Sequence, residues 1–313
     1  MRRSPVLTTC RSPLVLALIA GLAAALSGCG PAALASAGHG SILAVGAENE
    51  YANVISQIGG RYVRVEAIMD NPNTDPHTFE ASPSVASVIS AAKLVVQNGL
   101  GYDDFMQRIE SASPSSGRHV IDVQHLLNVP SSEPNPHLWY SPHTMPAVAG
   151  AVASALTHLA PRHAAYFKAN VRRFDRTLQP WYQALSAFRH RYAGTGVATT
   201  EPVADYMLQA SGARIRTPLS LQLDIMNGVD PAPQNVSTQD GLFTGGRVKA
   251  FLYNRQVTDS ITQSFLRLAA RHRIPVVGVY ETMPPGFTYQ SWMLAETRAL
   301  RAAVAAGQST QTL

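Results

Sequence analysis

Cysteine is almost absent from this chain, and none occurs after position 29. The 313 residues contain two cysteines, Cys10 and Cys29. The residues beyond Cys29 therefore cannot form a disulfide with one another. A domain of this length without disulfides has to be stabilised by a buried apolar core, and about 280 residues are enough to build a large core and two lobes.

Charge is also sparse, and neither sign dominates. The formal net charge is +5, but Arg2, Arg3 and Arg11 belong to the N-terminal leader predicted below. Without them, 22 basic side chains stand against 20 acidic ones, which leaves a net charge of +2. With no basic run in the sequence, nothing supports binding to a nucleic acid.

Long hydrophobic runs are missing except for one near the N-terminus. Residues 14–26 (LVLALIAGLAAAL) follow a positively charged start. The run is too short to span a bilayer comfortably but is typical of a secretory signal peptide. Residues 26–29 (LSGC) resemble the lipobox of bacterial lipoproteins, which implies cleavage before Cys29 and attachment of a diacylglyceryl group to it. The alternative is an ordinary signal peptide that is cut near a cysteine.

These features predict an exported protein. The signal peptide covers residues 1–28, and residues 29–40, rich in small side chains, form a flexible tether. Cys29 would hold the protein on the outer face of the cytoplasmic membrane. Without the lipid, the protein would be periplasmic.

Beyond the tether, strand-like and helix-like segments alternate. Predicted strands cover residues 41–45, 62–68, 94–96, 120–123, 197–200, 248–253 and 275–280. Predicted helices cover residues 51–58, 83–92, 262–273 and 291–306. This alternation predicts an α/β fold with mainly parallel sheets, in which ligands bind at the carboxyl ends of the strands.

One long segment interrupts the alternation. Residues 162–192 contain no glycine and a single proline, Pro180, and their apolar residues recur mostly every three or four positions. This spacing predicts one helix of roughly 45 Å. We therefore predict two αβ lobes, residues 41–161 and 193–313, joined by a linking helix over residues 162–192.

Four short motifs follow probable strands or lie in loops. They are residues 75–80 (DPHTFE), 135–142 (NPHLWYSP), 199–203 (TTEPV) and 277–282 (VGVYET). A single histidine beside a proline is usually only a loop residue, so any significance belongs to the set. The chain lacks H-E-x-x-H, a complete G-x-G-x-x-G and a Ser-His-Asp signature.

Taken together, the motifs resemble the zinc/manganese substrate-binding proteins of bacterial ABC importers. That family has a DPH-x-FE-type motif, then A-x-L-V-V-x-N-G-L, matched here by residues 92–100, and PHLW, matched by residues 136–139. The family pattern continues with a long helix and then with a His or Glu at a strand end. It finishes with a "GIPV" strand that is followed by an acidic residue. The resemblance covers about residues 41–307 and implies two lobes with a metal site in the cleft between them.

The resemblance implies the metal ligands residue by residue. His77 and His137 would come from the N-terminal lobe, and Glu201 and Glu281 from the C-terminal lobe. Many relatives have His at the third position, and Asp is commoner than Glu at the fourth. Residues 253–256 (YNRQ) also replace a Glu-Pro sequence that is frequent in relatives. Four other histidines are predicted to be surface or hydrogen-bonded residues and not ligands: His39, His119, His125 and His143.

The implied function is capture of one divalent transition-metal ion outside the cytoplasm. A monomer would hand the ion to the permease of an ABC importer with its ATPase. Two carboxylates favour Mn²⁺ or Fe²⁺, whereas Zn²⁺ exceeds Mn²⁺ in intrinsic affinity for most such sites, so the choice between Zn²⁺, Mn²⁺ and Fe²⁺ stays open.

Two other classes of function compete with this interpretation. A metallohydrolase would need a coordination position open to water, which four protein ligands on a tetrahedral ion do not leave, so we expect no enzyme. An adhesin or a binding protein for an organic ligand such as a siderophore would need a larger cleft lined with aromatic or basic residues.

Overall fold

A computed structural model describes residues 41–73 and 75–313 of the chain. The predicted signal peptide (1–28), the lipidation site Cys29 and the tether (29–40) lie outside the described residues. Within the part of the chain that the structure describes, no helix is both long and apolar enough to cross a membrane.

The N-terminal lobe is a four-stranded parallel sheet flanked by helices. Its strands are β1 (Ile42–Glu48), β2 (Val63–Met69), β3 (Leu94–Gln97) and β4 (His119–Asp122), in the order β2-β1-β3-β4. Its helices are α1 (Asn49–Gly59), α2 (Pro83–Ala91), α3 (Asp104–Ala112), α4 (Val123–Leu126) and α5 (Thr144–Leu159). The central strand β1 is almost continuously apolar, as expected of a strand covered on both faces. Helix α1 packs so closely on β1 that a Cβ at Gly46 would lie 2.3 Å from the backbone nitrogen of Ala52.

The C-terminal lobe repeats this arrangement. Its strands are β5 (Gly196–Thr199), β6 (Arg214–Ile215), β7 (Phe251–Asn254) and β8 (Val276–Val279), in the order β6-β5-β7-β8 with all neighbours parallel. Its helices are α7 (Asp205–Ser211), α8 (Leu219–Met226), α9 (Pro233–Thr244), α10 (Ser260–Arg271) and α11 (Tyr289–Ala306). In both lobes the first strand lies between the second and the third. Chains leaving the first and third strands therefore diverge, which opens a crevice at the carboxyl edge of each sheet.

A single long helix joins the two sheets, as predicted. Helix α6 (Ala164–Tyr192) has 29 residues and follows a short 3-10 helix, Pro161–His163. Its buried side chains are Phe167, Asn170, Phe174, Leu178, Trp181, Leu185 and Phe188. Because the helix buries an apolar stripe along its length, periodicity alone was enough to find it.

The sequence-based prediction of the α/β class, with parallel sheets and a long linking helix, is confirmed. Strand β7 begins three residues later than predicted, at Phe251 instead of residue 248. Seven helices and strands had no counterpart in the sequence analysis: α3, α4, α5, β6, α7, α8 and α9.

One apolar core extends through both sheets and the linking helix. A single cluster of buried side chains includes Val45 and Trp139 from the N-terminal half and Val277 and Trp292 from the C-terminal half. A second, smaller cluster packs within the C-terminal lobe around Phe243, Phe251 and Phe265. All described residues belong to one compact unit. The lobe limits at residues 161 and 193 stay predictions.

Candidate metal centre

His77 lies in a short structured turn that follows strand β2. The side chain of Asp75 caps this turn by accepting the backbone N–H of His77 at 2.9 Å. The imidazole is 21% exposed, and its Nε2 lies 3.2 Å from Oε2 of Glu281. This hydrogen bond of Asp75 goes to the backbone of His77 and not to its imidazole ring.

His137 is fully buried and held by Asn135. Its Nδ1 lies 2.8 Å from Oδ1 of Asn135, which also accepts the backbone N–H of His137 at 3.1 Å. The amide nitrogen of Asn135 donates to the backbone oxygen of Pro202 at 2.9 Å, so its Oδ1 faces the histidine. His137 therefore carries a proton on Nδ1. Its Nε2 faces Oε2 of Glu281 at 3.2 Å, and a cation that displaces the proton shared there would meet the Nε2 lone pair.

Glu281 is the carboxylate towards which both histidines point. It follows β8 and is 0% exposed. Its Oε2 lies 3.2 Å from Nε2 of His77 and 3.2 Å from Nε2 of His137, and it accepts the hydroxyl of Tyr102 at 3.0 Å. The side-chain oxygen of Gln256 accepts the backbone N–H of Glu281 at 2.7 Å. These contacts hold the carboxylate at one position.

The structure thus brings together three of the four predicted ligands. One atom each from His77, His137 and Glu281 lies within 4.8 Å of the other two. His77 lies in the loop after β2 and His137 in the loop after α4, both in the N-terminal lobe, whereas Glu281 follows strand β8 of the C-terminal sheet. The site therefore lies where the carboxyl edges of the two sheets meet.

Glu201 lies close by but outside this group of three. It follows β5 and is 2% exposed. Its Oε2 accepts the amide of Asn254 at 3.0 Å, and the same amide also donates to Oε1 of Glu281. The other oxygen of Glu201, Oε1, is buried with no hydrogen-bond partner among the described residues. Asn254 is thus the link between Glu201 and Glu281.

The two carboxylates have opposite protonation tendencies. Burial acts to raise the pKa of Glu281, but the hydrogen bonds with His137 and His77 outweigh it and hold the pKa below its ordinary value. Burial, reinforced by repulsion from Glu281, raises the pKa of Glu201 well above its ordinary value. Without a cation, the site therefore favours one ionised and one neutral carboxyl group. A divalent cation would favour ionisation of both.

The two histidines also differ. Burial lowers the pKa of His137, which is fully enclosed. Burial acts to lower the pKa of His77 too, but its hydrogen bond and attraction to Glu281 outweigh burial and raise the pKa above its ordinary value. Of the two histidines, His77 is therefore the one for which protons compete more strongly with an ion.

Several residues that support the site were missed by the sequence analysis: Tyr102, Asn135, Asn254 and Gln256. Asn254 and Gln256 lie in the stretch 253–256, where this chain departs from the Glu-Pro sequence of many relatives. That departure was the only signal in the sequence that pointed to them. The histidines predicted to be non-ligands lie elsewhere: His119 packs against His158, the side chain of His125 is 77% exposed, and His143 is exposed. His39 lies outside the described residues.

Two parallel-sheet lobes, a long connecting helix and a buried group of imidazole and carboxylate side chains define the class of metal-binding solute-binding proteins. Residues 45–303 match the family described as "Zinc-uptake complex component A periplasmic" (ZnuA). The chain belongs to this family, and the resemblance drawn from the motifs is confirmed.

The matches to curated relatives cover shorter parts of the chain than the match to the family does. The chain is 25% identical over 162 residues to the manganese-binding lipoprotein MntA of Bacillus subtilis (strain 168), which covers 50% of this chain and 52% of MntA. It is 24% identical over 166 residues to a putative metal-binding protein of Treponema pallidum (strain Nichols), which covers 46% of this chain and 52% of the relative. The chain thus spans about half the length of these curated relatives.

Solved structures share the fold over most of the chain. A crystal structure of ZnuA has a TM-score of 0.68 at 20% identity and covers 85% of this chain and 100% of its own. The Mn-bound periplasmic metal binding protein of Candidatus Liberibacter asiaticus has a TM-score of 0.68 at 18% identity, with coverage of 84% and 100%. A mutant of the laminin-binding adhesin (Lmb) of Streptococcus agalactiae has a TM-score of 0.70 at 18% identity, with coverage of 85% and 100%. At these identities the likeness establishes the fold alone.

Proposed function

We propose that this protein captures one divalent transition-metal ion, Zn²⁺ or Mn²⁺, outside the cytoplasmic membrane and delivers it to the permease of an ABC importer. The main support is the convergence of His77, His137 and Glu281 within 4.8 Å of one another. Imidazole nitrogen and carboxylate oxygen are the ligand types that Zn²⁺, Mn²⁺ and Fe²⁺ accept. Membership of the zinc-uptake family supports a transport role.

Glu201 is the proposed fourth ligand. Its unpartnered Oε1 is buried, and an unpaired carboxylate oxygen in that environment is costly unless a cation binds it. Two neutral histidines and two ionised glutamates carry a charge of −2, which a divalent cation balances. Four protein ligands also fill a tetrahedral site without an open position for water, which supports a binding protein and not an enzyme.

The space beside the site supports an ion in preference to an organic ligand. A cavity of about 200 Å³ lies between the His77 loop and Thr282, and is lined in part by Asp75 and Phe79. Sites for drug-sized molecules typically enclose about 300–1,000 Å³. A siderophore would therefore need a larger opening than this cavity offers.

Metal analysis and calorimetry test the capture step. Protein purified without chelators should carry close to one ion, and the metal-free form should bind Zn²⁺ or Mn²⁺ with one-to-one stoichiometry. The double variant His77→Ala/His137→Ala should lose this binding, whereas His143→Ala, which alters an exposed histidine, should keep it. Equally weak uptake by the wild type and the double variant would reject the metal-binding function.

Uptake in cells tests the delivery step separately. Cells that lack the gene should recover accumulation of radioactive zinc or manganese from chelated medium when they express the wild type or His143→Ala. The double variant His77→Ala/His137→Ala should not restore it. Normal metal binding in vitro without any rescue of uptake would leave capture intact and argue against delivery.

Anchoring at Cys29 is a further part of the proposal. A diacylglyceryl group on Cys29 would hold a monomer at the membrane surface next to the importer. The variant Cys29→Ser should move the protein from the membrane fraction to the soluble extracytoplasmic fraction, whereas Cys10→Ser should not. Retention of Cys29→Ser in the membrane fraction would contradict lipid anchoring at this residue.

A further inference from the structure

Asn254 contacts both carboxylates of the proposed site. It is the last residue of β7, the strand next to β5 and β8, whose ends lead to Glu201 and Glu281. Its side chain is 0% exposed. The amide nitrogen donates to Oε2 of Glu201 at 3.0 Å and to Oε1 of Glu281. The sheet order therefore places one amide group between two carboxylates that are 80 positions apart in the chain.

The orientation of this amide is set by its other contacts. Its Oδ1 accepts the backbone N–H of Gln256 at 3.0 Å, so the oxygen is turned away from the carboxylates. The backbone N–H of Asn254 donates to Oγ1 of Thr200 at 3.0 Å, which holds the main chain. Because the amide nitrogen carries two protons, it can give one to each carboxylate at the same time.

On each carboxylate, one oxygen accepts from Asn254 and the other does not. On Glu281 the remaining oxygen is Oε2, which lies 3.2 Å from Nε2 of both His77 and His137. On Glu201 it is Oε1, which is buried and lacks a hydrogen-bond partner among the described residues. The oxygens bound to Asn254 face its amide, so bidentate coordination would require them to turn from the amide and lose a hydrogen bond in a buried environment, which is costly. Oε2 of Glu281 also accepts from Tyr102, but it already faces both imidazoles and needs no such turn.

We propose that Asn254 restricts Glu201 and Glu281 to one coordinating oxygen each, so that the site supplies four protein ligand atoms and selects Zn²⁺ over Mn²⁺. This inference rests on the proposed metal-binding function. Zn²⁺ is satisfied by four ligands in a tetrahedral arrangement. Mn²⁺ favours octahedral, oxygen-rich coordination, which two bidentate carboxylates beside two histidines would supply. Asn254 acts here as a positioning residue, since it does not itself bind the ion.

The test compares Asn254→Ala with a matched control. Asn170→Ala also removes a buried asparagine amide, one that donates to the backbone oxygen of Ile58 from helix α6 and takes no part in the site. In the wild type, Zn²⁺ should bind more tightly than Mn²⁺, and X-ray absorption on the zinc-loaded protein should give a coordination number of about four. In Asn254→Ala the preference for Zn²⁺ should fall by about 10-fold or more, as for other residues that orient ligands. Asn170→Ala should leave the preference unchanged.

X-ray absorption on the manganese-loaded proteins gives a second readout. In Asn254→Ala, Oε2 of Glu201 and Oε1 of Glu281 no longer accept from the amide and can bind the ion. The number of protein atoms that coordinate Mn²⁺ should therefore be higher than in the wild type. A merely structural role for Asn254 would lower stability, as in Asn170→Ala, without changing the metal preference or the coordination number. Should Asn254→Ala not fold, the smaller change Asn254→Ser and the zinc coordination number of the wild type still decide the question.

Different outcomes would overturn the proposed metal-binding function and the proposed role of Asn254. A wild type that binds neither ion rejects the proposed function, and the role of Asn254 with it. A wild type that binds Zn²⁺ with five or six ligands overturns the inference about Asn254 alone. An unchanged preference in Asn254→Ala, with both ions bound, has the same consequence.

Discussion

At the scale of single residues, hydrogen-bond direction decides what each ligand candidate can offer. Asn135 accepts the Nδ1 proton of His137, so that Nε2 is the ring nitrogen that faces Glu281 and the proposed ion. Tyr102 and Asn254 donate to Glu281, and the burial of this carboxylate is compensated by those bonds. None of these supporting residues is charged, so they orient the ligands without changing the charge that the ion meets.

Asn135 variants test how far the orientation of His137 matters. Asn135→Ala should weaken binding of Zn²⁺ by about 10- to 100-fold, the range seen when a partner of a metal-binding histidine is removed. Asn135→Asp keeps an acceptor for Nδ1 but loses the donor to Pro202, so its affinity should lie closer to the wild type. Calorimetry on the metal-free variants gives the comparison. Equal losses in both would mean that the contact with Pro202, and not the imidazole, is what matters.

Glu281→Gln tests the carboxylate without emptying its pocket. The glutamine keeps the shape and one oxygen that can accept from Asn254. Alanine would leave the hydroxyl of Tyr102 and one of the two amide N–H groups of Asn254 without an acceptor. Metal affinity should fall by more than about 100-fold, because a direct ligand counts for more than an orienting partner. Far-UV circular dichroism should show the metal-free variant to be folded. Full metal binding by the variant would remove Glu281 from the ligand set.

The pH dependence of metal binding follows from His77 and Glu201. The pKa of His77 is raised above its ordinary value of 6.5, so protons displace the ion from this residue already near neutral pH. The pKa of Glu201 is raised as well, so binding should release its proton. Affinity should therefore fall by about 10-fold or more between pH 7.5 and pH 6.0. Calorimetry in two buffers of different ionisation enthalpy measures the released protons, and zero release at pH 6.5 would contradict the assignment.

At the scale of elements, sequence periodicity revealed strands and helices whose buried faces are mainly apolar. Helix α6 is the clearest case. Helix α9 was missed because its buried face is partly polar: the amide of Gln239 donates to the backbone oxygen of Thr199, and its oxygen accepts from Thr217. Helix α5 does carry buried apolar residues at positions 145, 148, 149, 152 and 156, so its periodicity was there to be read.

Helix α11 carries a buried acid that couples its packing to pH. Glu296 is 0% exposed and accepts the indole N–H of Trp292 at 3.1 Å. Burial raises its pKa to about 8. A carboxyl group with a raised pKa stabilises the fold fully below its unfolded pKa of about 4.5, and that contribution is lost as the pH rises through 8.

Glu296→Gln should therefore change the pH profile of stability. Between pH 5 and pH 9 the wild type should lose on the order of 4 kcal/mol through this residue, since each pKa unit corresponds to about 1.4 kcal/mol. The variant, which mimics the neutral acid, should lack this part of the decline. Denaturant unfolding of metal-free protein at both pH values gives the difference. Parallel profiles for the two proteins would show that Glu296 is ionised in the fold.

At the scale of the whole molecule, the two lobes are tied together independently of any ion. One apolar cluster runs through both sheets and helix α6. The side chain of Asn49 exchanges two hydrogen bonds with the backbone of Met283, at 2.8 and 3.0 Å, and the hydroxyl of Tyr289 donates to the backbone oxygen of Trp139 at 2.6 Å. Because the proposed ligands come from both lobes, binding of the ion would favour contact between the lobes, but this shared core limits how far the loaded and empty states can differ.

Removal of the metal should accordingly leave the overall dimensions almost unchanged. A folded chain of this length has a radius of gyration of about 19 Å, and the loaded and empty forms should agree to within about 1 Å. Small-angle X-ray scattering on the chelated and Zn²⁺-loaded protein makes the comparison. A clear expansion on chelation would indicate a hinge that opens between the lobes despite their common core.

The sequence by itself determined the α/β class, the two parallel sheets, the linking helix and the family, because these depend on periodicity and on short motifs. It also placed the four ligand candidates near strand ends, where parallel strands bring side chains together. Only the tertiary structure decided that Asn254 lies between Glu201 and Glu281, and that Asn135 orients His137. The contacts of Asn254 join residues at the ends of three different strands, and the contact of Asn135 depends on hydrogen-bond direction within one loop. Neither leaves a periodic trace in the order of amino acids.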